Sequence, residues 1–184
     1  RLRRGFTAKG WEKKNFEISK IINGEVTEAT THEIDHVKTF ENGTIALEIE
    51  WNNKDPFYDR DLENFKRLHG DNAISLGVIV TRGKSLQPAL YDLVLDYARR
   101  YDLNSFQALD VHGIELTRRK LGIIERSIRQ SGSTFAEAWA KSHVTDKYGQ
   151  ATTHWRKFED RLARGVGNPC PLVGIGLPLG IVRP

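Results

Sequence analysis

Asp35, Glu48 and Glu50 are the side chains of this sequence best spaced to do chemistry together. Asn42-Gly43 lies between two alternating segments, 33–40 and 44–51, and Asn-Gly is the strongest short hairpin signal. A turn centred there sets Asp35 across from Glu50 and Val37 across from Glu48. Side chains two apart on a strand point the same way. The three acids then share one face, with Leu47, Ile49 and Trp51 on the other. Directly opposed side chains have Cβ atoms roughly 4.5–5.5 Å apart, and opposed like charges destabilise a sheet. A shifted pKa on one acid, or a bound cation, relieves that repulsion. Hard oxygen ligands at an open site favour Mg²⁺ or Mn²⁺ over zinc. Such an ion polarises a phosphoryl oxygen, lowers the pKa of water and stabilises a leaving oxygen, which is the chemistry of phosphodiester hydrolysis. The competing reading is a solvated strand face, where alternating Glu is common. A three-residue loop would also carry Asp35 to the opposite face.

The rest of the chain must hold this hairpin. Residues 1–30 are basic and loosely patterned, with Trp11 and Phe16 as anchors. Asp55 before Pro56 reads as a helix cap, Phe57, Leu62, Phe65 and Leu68 share one helical face, and Gly70 ends the helix. Residues 73–81 form an apolar, β-branched run typical of a buried strand. From Pro88 to Leu162 the pattern is helical, with breaks near Gly113, Gly132 and Gly149, and residues 171–178 read as a last apolar strand. Hairpin, helix, strand, helices and strand in that order predict a mixed central sheet flanked by helices, an α/β fold in one domain over residues 1–184.

The bulk properties agree with a globular chain. It has 184 residues, 39% hydrophobic and 28% charged, with net charge +4 and pI about 9.2. The mild basicity tilts toward a polyanionic partner. The single cysteine, Cys170, excludes an internal disulfide and a Cys-rich zinc site and fits a reducing compartment. No apolar run approaches a membrane span. The opening Arg1-Leu2-Arg3-Arg4, without methionine, fits a processed or trimmed form. A zinc site from His32, Asp35 and His36 is a weaker alternative, because an i, i+4 pair gathers on a helix rather than on a strand.

Asp35 followed by Glu48-Ile49-Glu50 resembles the D…(D/E)-x-K nuclease motif in a form whose last position is Glu. With Lys9-Gly10-Trp11 before it, Asn53-Lys54 and the strand Ile74–Val80 after it, and the closing Arg164-Gly165-Val166-Gly167 and Pro169–Gly176, the chain is similar to type II restriction endonucleases of the BamHI/BglII/BstYI-like group. The resemblance is best over 33–82. It implies a restriction-endonuclease-like core, about 33–86 and 165–180, with a helical insertion over about 88–163. It also implies a cytoplasmic prokaryotic enzyme, a homodimer that cleaves a short palindromic site in double-stranded DNA and leaves 5′-phosphate ends. Asp35 and Glu48 would bind Mg²⁺ (or Mn²⁺), with the backbone carbonyl of Ile49 as a further ligand. Glu50 stands where a lysine is usual and would act as general base or as an extra ligand.

DNA contacts are expected from loops leaving the catalytic strand: Asn52, Asn53 and Lys54, with Lys54 and Arg60 able to supply the charge the missing lysine would carry. Arg82 and Lys84 at a strand end, Lys147, Thr152 and Thr153, and Arg156 are further candidates, against turn, cap and solvated-charge roles for each. Two other functions fit the same residues: a structure-specific repair nuclease, and a DNA-binding module without catalysis.

Overall fold

The computed structural model describes residues 2–182. Two compact units form, Arg1–Gly83 with Thr153–Leu177, and Lys84–Thr152 with the chain from Pro178. The first therefore takes in the last helix of the region 88–163, and the second holds the helices before it.

The first unit opens with α1 (Leu2–Thr7), followed by β1 (Glu12–Ile22), β2 (Glu25–Phe40) and β3 (Gly43–Glu50). After α2 (Phe57–Gly70) comes β4 (Leu76–Arg82), and the second excursion through this unit adds α7 (Trp155–Ala163) and β5 (Leu172–Leu177). The five strands form one sheet in sequence order. β1, β2 and β3 are antiparallel, and β3, β4 and β5 are parallel. The helix between β3 and β4 is the crossover that parallel pairing requires.

Residues 1–30 hold more order than their pattern suggests. Asn23 and Gly24 take φ of 53° and 87°, the conformation that a two-residue primed turn needs. They join β1 to a β2 of 16 residues. In the next hairpin Phe40 pairs with Gly43, so the turn is Glu41-Asn42, and Val37 lies across from Ala46. This register differs by two residues from a turn at Asn42-Gly43. A two-residue shift changes each partner but leaves every side chain on its face, because strand periodicity is two. Gly43 joins the strand at φ +143°, where a Cβ would strike the Ser75 side chain.

β2 also carries an extra residue. Lys14 faces Ile34 while Glu12 faces Val37, a bulge over Asp35-His36. Ile34 and Val37 consequently both enter one core cluster. With Ala46 and Ile79 they pack against Tyr58, Leu62, Phe65 and Leu68 of α2 and Phe158 of α7. Each large apolar side chain buried this way contributes about 1.5–3 kcal/mol. Glycines let the helices close down on the strands. A Cβ on Gly77 would lie 2.5 Å from the Phe65 ring, and one on Gly174 would strike the Phe158 ring. The opposite sheet face buries Leu47, Val78, Val80 and Leu177 beneath Phe6 and Trp11.

The α2 surface differs from expectation at two points. Tyr58 is buried where Phe57 was expected, and Asp55 makes no cap. Asp55 instead pairs with Lys157 (3.2 Å) and Arg161 (3.7 Å) of α7. Arg161 also grips Asp59 through Nε and Nη2, at 3.1 and 2.8 Å.

The second unit contains α3 (Leu86–Arg100), α4 (Phe106–Val111), α5 (Arg118–Ser131) and α6 (Phe135–Tyr148). Its core joins Leu95, Ala98, Leu103, Leu109, Ile124 and Trp139. Ser105 and Thr117 cap α4 and α5, Thr134 and Glu137 form a capping box on α6, and Gly132 ends α5 at φ 64°. No described helix is long and apolar enough to cross a membrane.

Candidate active site

Glu48 and Glu50 lie on β3 two and four residues beyond Ala46, and so face α2 at the carboxyl end of a parallel strand. Crevices outside such strand ends are where open α/β sheets bind ligands. Here a cavity of about 480 Å³ is lined by Asp35, Glu48, Ile49 and Glu50 together with His32, Asn53, Arg60 and Asn64, among others. The four residues that motif reasoning joined are therefore brought to one cavity.

Each acid is held differently. The Asp35 backbone N–H donates to Glu48 Oε1 at 3.1 Å, while the Asp35 carboxylate, half-exposed, meets Arg3 at 3.3 Å. Glu50 Oε1 accepts from Asn53 Nδ2 at 3.1 Å, and its Oε2 is buried with no donor. Burial, then the charge of Asp61, pushes the Glu48 carboxyl up to about 8, against the pull of the Asp35 N–H. Burial and Asp61 likewise raise Glu50 to about 8, and Asn53 opposes the rise.

Asp61 is the member that sequence reasoning missed. It lies on the core face of α2 between Tyr58 and Leu62, 1% exposed. Its Oδ1 accepts from Arg60 Nε (2.9 Å) and Nη2 (2.7 Å). Its Oδ2 is buried with no hydrogen-bond partner. Burial raises its carboxyl as well. The available signal was an acid interrupting an apolar helical stripe.

The histidines separate. His32 Nδ1 bonds Asn64 Oδ1 at 2.9 Å, whereas His36 is buried against the Phe6 ring. Alternation alone would set both on the face away from Asp35, and the bulge at Asp35-His36 instead parts them. Among the described residues, no three His, Cys, Asp or Glu side chains are grouped as a metal site, which holds for His32, Asp35 and His36 and equally for the side chains of Asp35, Glu48 and Glu50.

The expected DNA-contact residues also divide. Asn52, Asn53, Lys54, Arg60, Lys84, Lys147 and Arg156 are exposed. Arg82, Thr152 and Thr153, also expected at DNA, are buried in the chain. The Arg82 guanidinium donates to the Thr153 carbonyl, the Thr153 N–H donates to the Asn53 carbonyl, and Thr152 Oγ1 donates to the Gly149 carbonyl. Neither threonine caps α7, whose N-cap is His154.

The model of the restriction endonuclease BglII/BglIII family matches residues 1–177. The chain belongs to that family. Membership implies sequence-specific cleavage of double-stranded DNA by a nuclease, and the five-stranded mixed sheet is the α/β, restriction-endonuclease-like core that the resemblance foretold. No curated protein and no solved structure matches the chain. Within the family frame, the cavity at the end of β3 is the candidate active site.

Proposed function

We propose that this family member is a type II enzyme, a homodimer that hydrolyses both strands of duplex DNA at a short palindromic site with the help of a divalent ion. The observation that carries this reading is a pair of buried carboxyls, Glu48 and Glu50, facing one cavity with Asp35. Burying ionised oxygens is costly unless a cation compensates, and Glu50 Oε2 has no donor. The donor set, all hard oxygen, fits Mg²⁺ or Mn²⁺.

Asp35, Glu48 and the Ile49 backbone carbonyl would hold the ion. Once bound, it would polarise the phosphoryl oxygen and acidify water. Glu50, whose buried Oε2 faces no hydrogen-bond partner beside the cavity, is assigned the general base. It takes one proton from water as the water oxygen bonds to phosphorus. The 3′ oxygen departs with the bonding pair and picks up a proton, leaving 5′-phosphate and 3′-hydroxyl ends. Exposed Asn52, Lys54, Arg60 and Arg156, with Lys84 and Lys147 on the helical unit, are assigned to the DNA backbone, a term that weakens with salt. Twofold symmetry in the dimer would match a palindrome. A restriction role implies the cytoplasm of a prokaryotic cell.

Digestion of a defined plasmid with Mg²⁺, followed by sequencing of the fragment ends, tests the proposal. Discrete fragments with 5′-phosphates are expected. Cleavage only at branches or mismatches would favour a repair nuclease, and an uncut plasmid that the protein still binds would favour a non-catalytic module.

A further inference from the structure

Neighbouring residues on a helix do not face each other, yet Arg60 curls back onto Asp61. Both Arg60 Nε and Nη2 donate to one buried oxygen, Asp61 Oδ1. The guanidinium lies over the Phe57 ring, 4.4 Å from its centroid. Arg60 itself is 56% exposed at the side chain and, among the described residues, is the single lysine or arginine lining the carboxylate cavity. A guanidinium has five N–H donors in a fixed fork. Two are spent on Asp61, which leaves three directed elsewhere. Planar, bidentate donors of this kind suit a phosphate oxygen pair. A phosphate entering a cavity walled by Asp35, Glu48 and Glu50 needs such a cation.

We propose that Asp61 is the positioning residue that clamps Arg60 over the cavity, so that the guanidinium meets the phosphate of the bond to be cut. Asp61 touches no substrate in this account; apart from its charge beside Glu48 and Glu50, it acts through Arg60. Its burial fixes one end of the clamp, and the Phe57 ring fixes the plane of the other. The phosphate half of the inference rests on the nuclease reading, whereas the clamp does not.

Two measurements separate these halves. In the parent protein the Arg60 Nε–H resonance should be protected from solvent exchange, and in Asp61→Asn it should exchange faster. Protection unchanged by Asp61→Asn overturns the clamp, whatever the protein does to DNA. The second is a double-mutant cycle on cleavage rate. Asp61→Asn should slow cleavage on the order of 100-fold, the effect of a misplaced group, and should cost clearly less once Arg60→Ala is present, the remainder being the loss of its charge beside Glu48 and Glu50. Equal costs in both backgrounds would show that Asp61 acts without Arg60. Phe57→Leu leaves every carboxylate in place, so it covers the case in which Asp61→Asn fails to fold. It should slow cleavage in the parent and have no further effect beside Arg60→Ala; an equal effect in both would likewise overturn the proposal.

Discussion

The backbone N–H of Asp35 donates to Oε1 of Glu48 at 3.1 Å, one step beyond the last paired residues of their strands, His36 and Leu47. A side chain thus takes the place of the next ladder bond. The bulge at Asp35-His36 frees that N–H, and bulges beside active sites re-aim side chains in this way. Asp35 and Glu48 are therefore coupled through main chain rather than through their carboxyl groups alone.

Because the bond uses the Asp35 main chain, Asp35→Asn should keep it. The half-exposed carboxylate has only the Arg3 pair to lose, an exposed contact of small worth. Thermal melting should shift by no more than about 1–2 °C, while cleavage should fall on the order of 100-fold or more. Melting curves and rates on one preparation check both.

Glu48 and Glu50 sit near 8 in the fold, above an ordinary value of 4.5. Between those values the folded protein binds more protons than the unfolded chain, so its stability falls as pH rises. The ion-free protein should therefore be more stable near pH 5 than above pH 8, with the loss concentrated between about 4.5 and about 8. A divalent ion binds the ionised oxygens and should flatten the slope, as should Glu48→Gln. Denaturant midpoints with a chelator and with Mg²⁺, across this range, test the prediction.

Arg161 ties α7 to α2 through Asp59 and the Asp55 carbonyl, with its own side chain buried. Removing it leaves those oxygens without their donor. Asp59 is half-exposed, so water recovers part of the cost, and Arg161→Ala should destabilise by about 2 kcal/mol. Arg161→Lys should recover only part of this, since an ammonium cannot span Asp59 with two donors. Urea unfolding measures both.

Gly174 has no room for a methyl group, because a Cβ would strike the Phe158 ring. Gly174→Ala should cost about 1–3 kcal/mol through displaced packing. Gly180 has open space at the same position, so Gly180→Ala serves as the control, with an effect within about 0.5 kcal/mol.

Much of the sheet was legible because period two is insensitive to an even error. The turn lies at Glu41-Asn42 instead of Asn42-Gly43, and Glu48 and Glu50 still face the same cavity as Asp35. Gly43 is drawn into the strand where Ser75 approaches it, a contact made by residues far apart in sequence. The first hairpin carried its own Asn23-Gly24 signal, but β1 is almost wholly exposed, so no apolar alternation marked its strands. Asp61 and Arg82 were harder. An acid or an arginine reads as solvated until its neighbours are known, and both are buried by tertiary packing that local pattern does not carry.

The central claim is that Asp35 and Glu48 hold the ion that drives cleavage. Its most direct test is the rate of cutting at the mapped site over a Mg²⁺ titration, for the parent, Asp35→Asn and Glu48→Gln. The parent should be inert in chelator and rise to a plateau, with both variants slower on the order of 100-fold or more at every concentration. Cutting by the parent in chelator, or variants that follow the parent's curve, would contradict it.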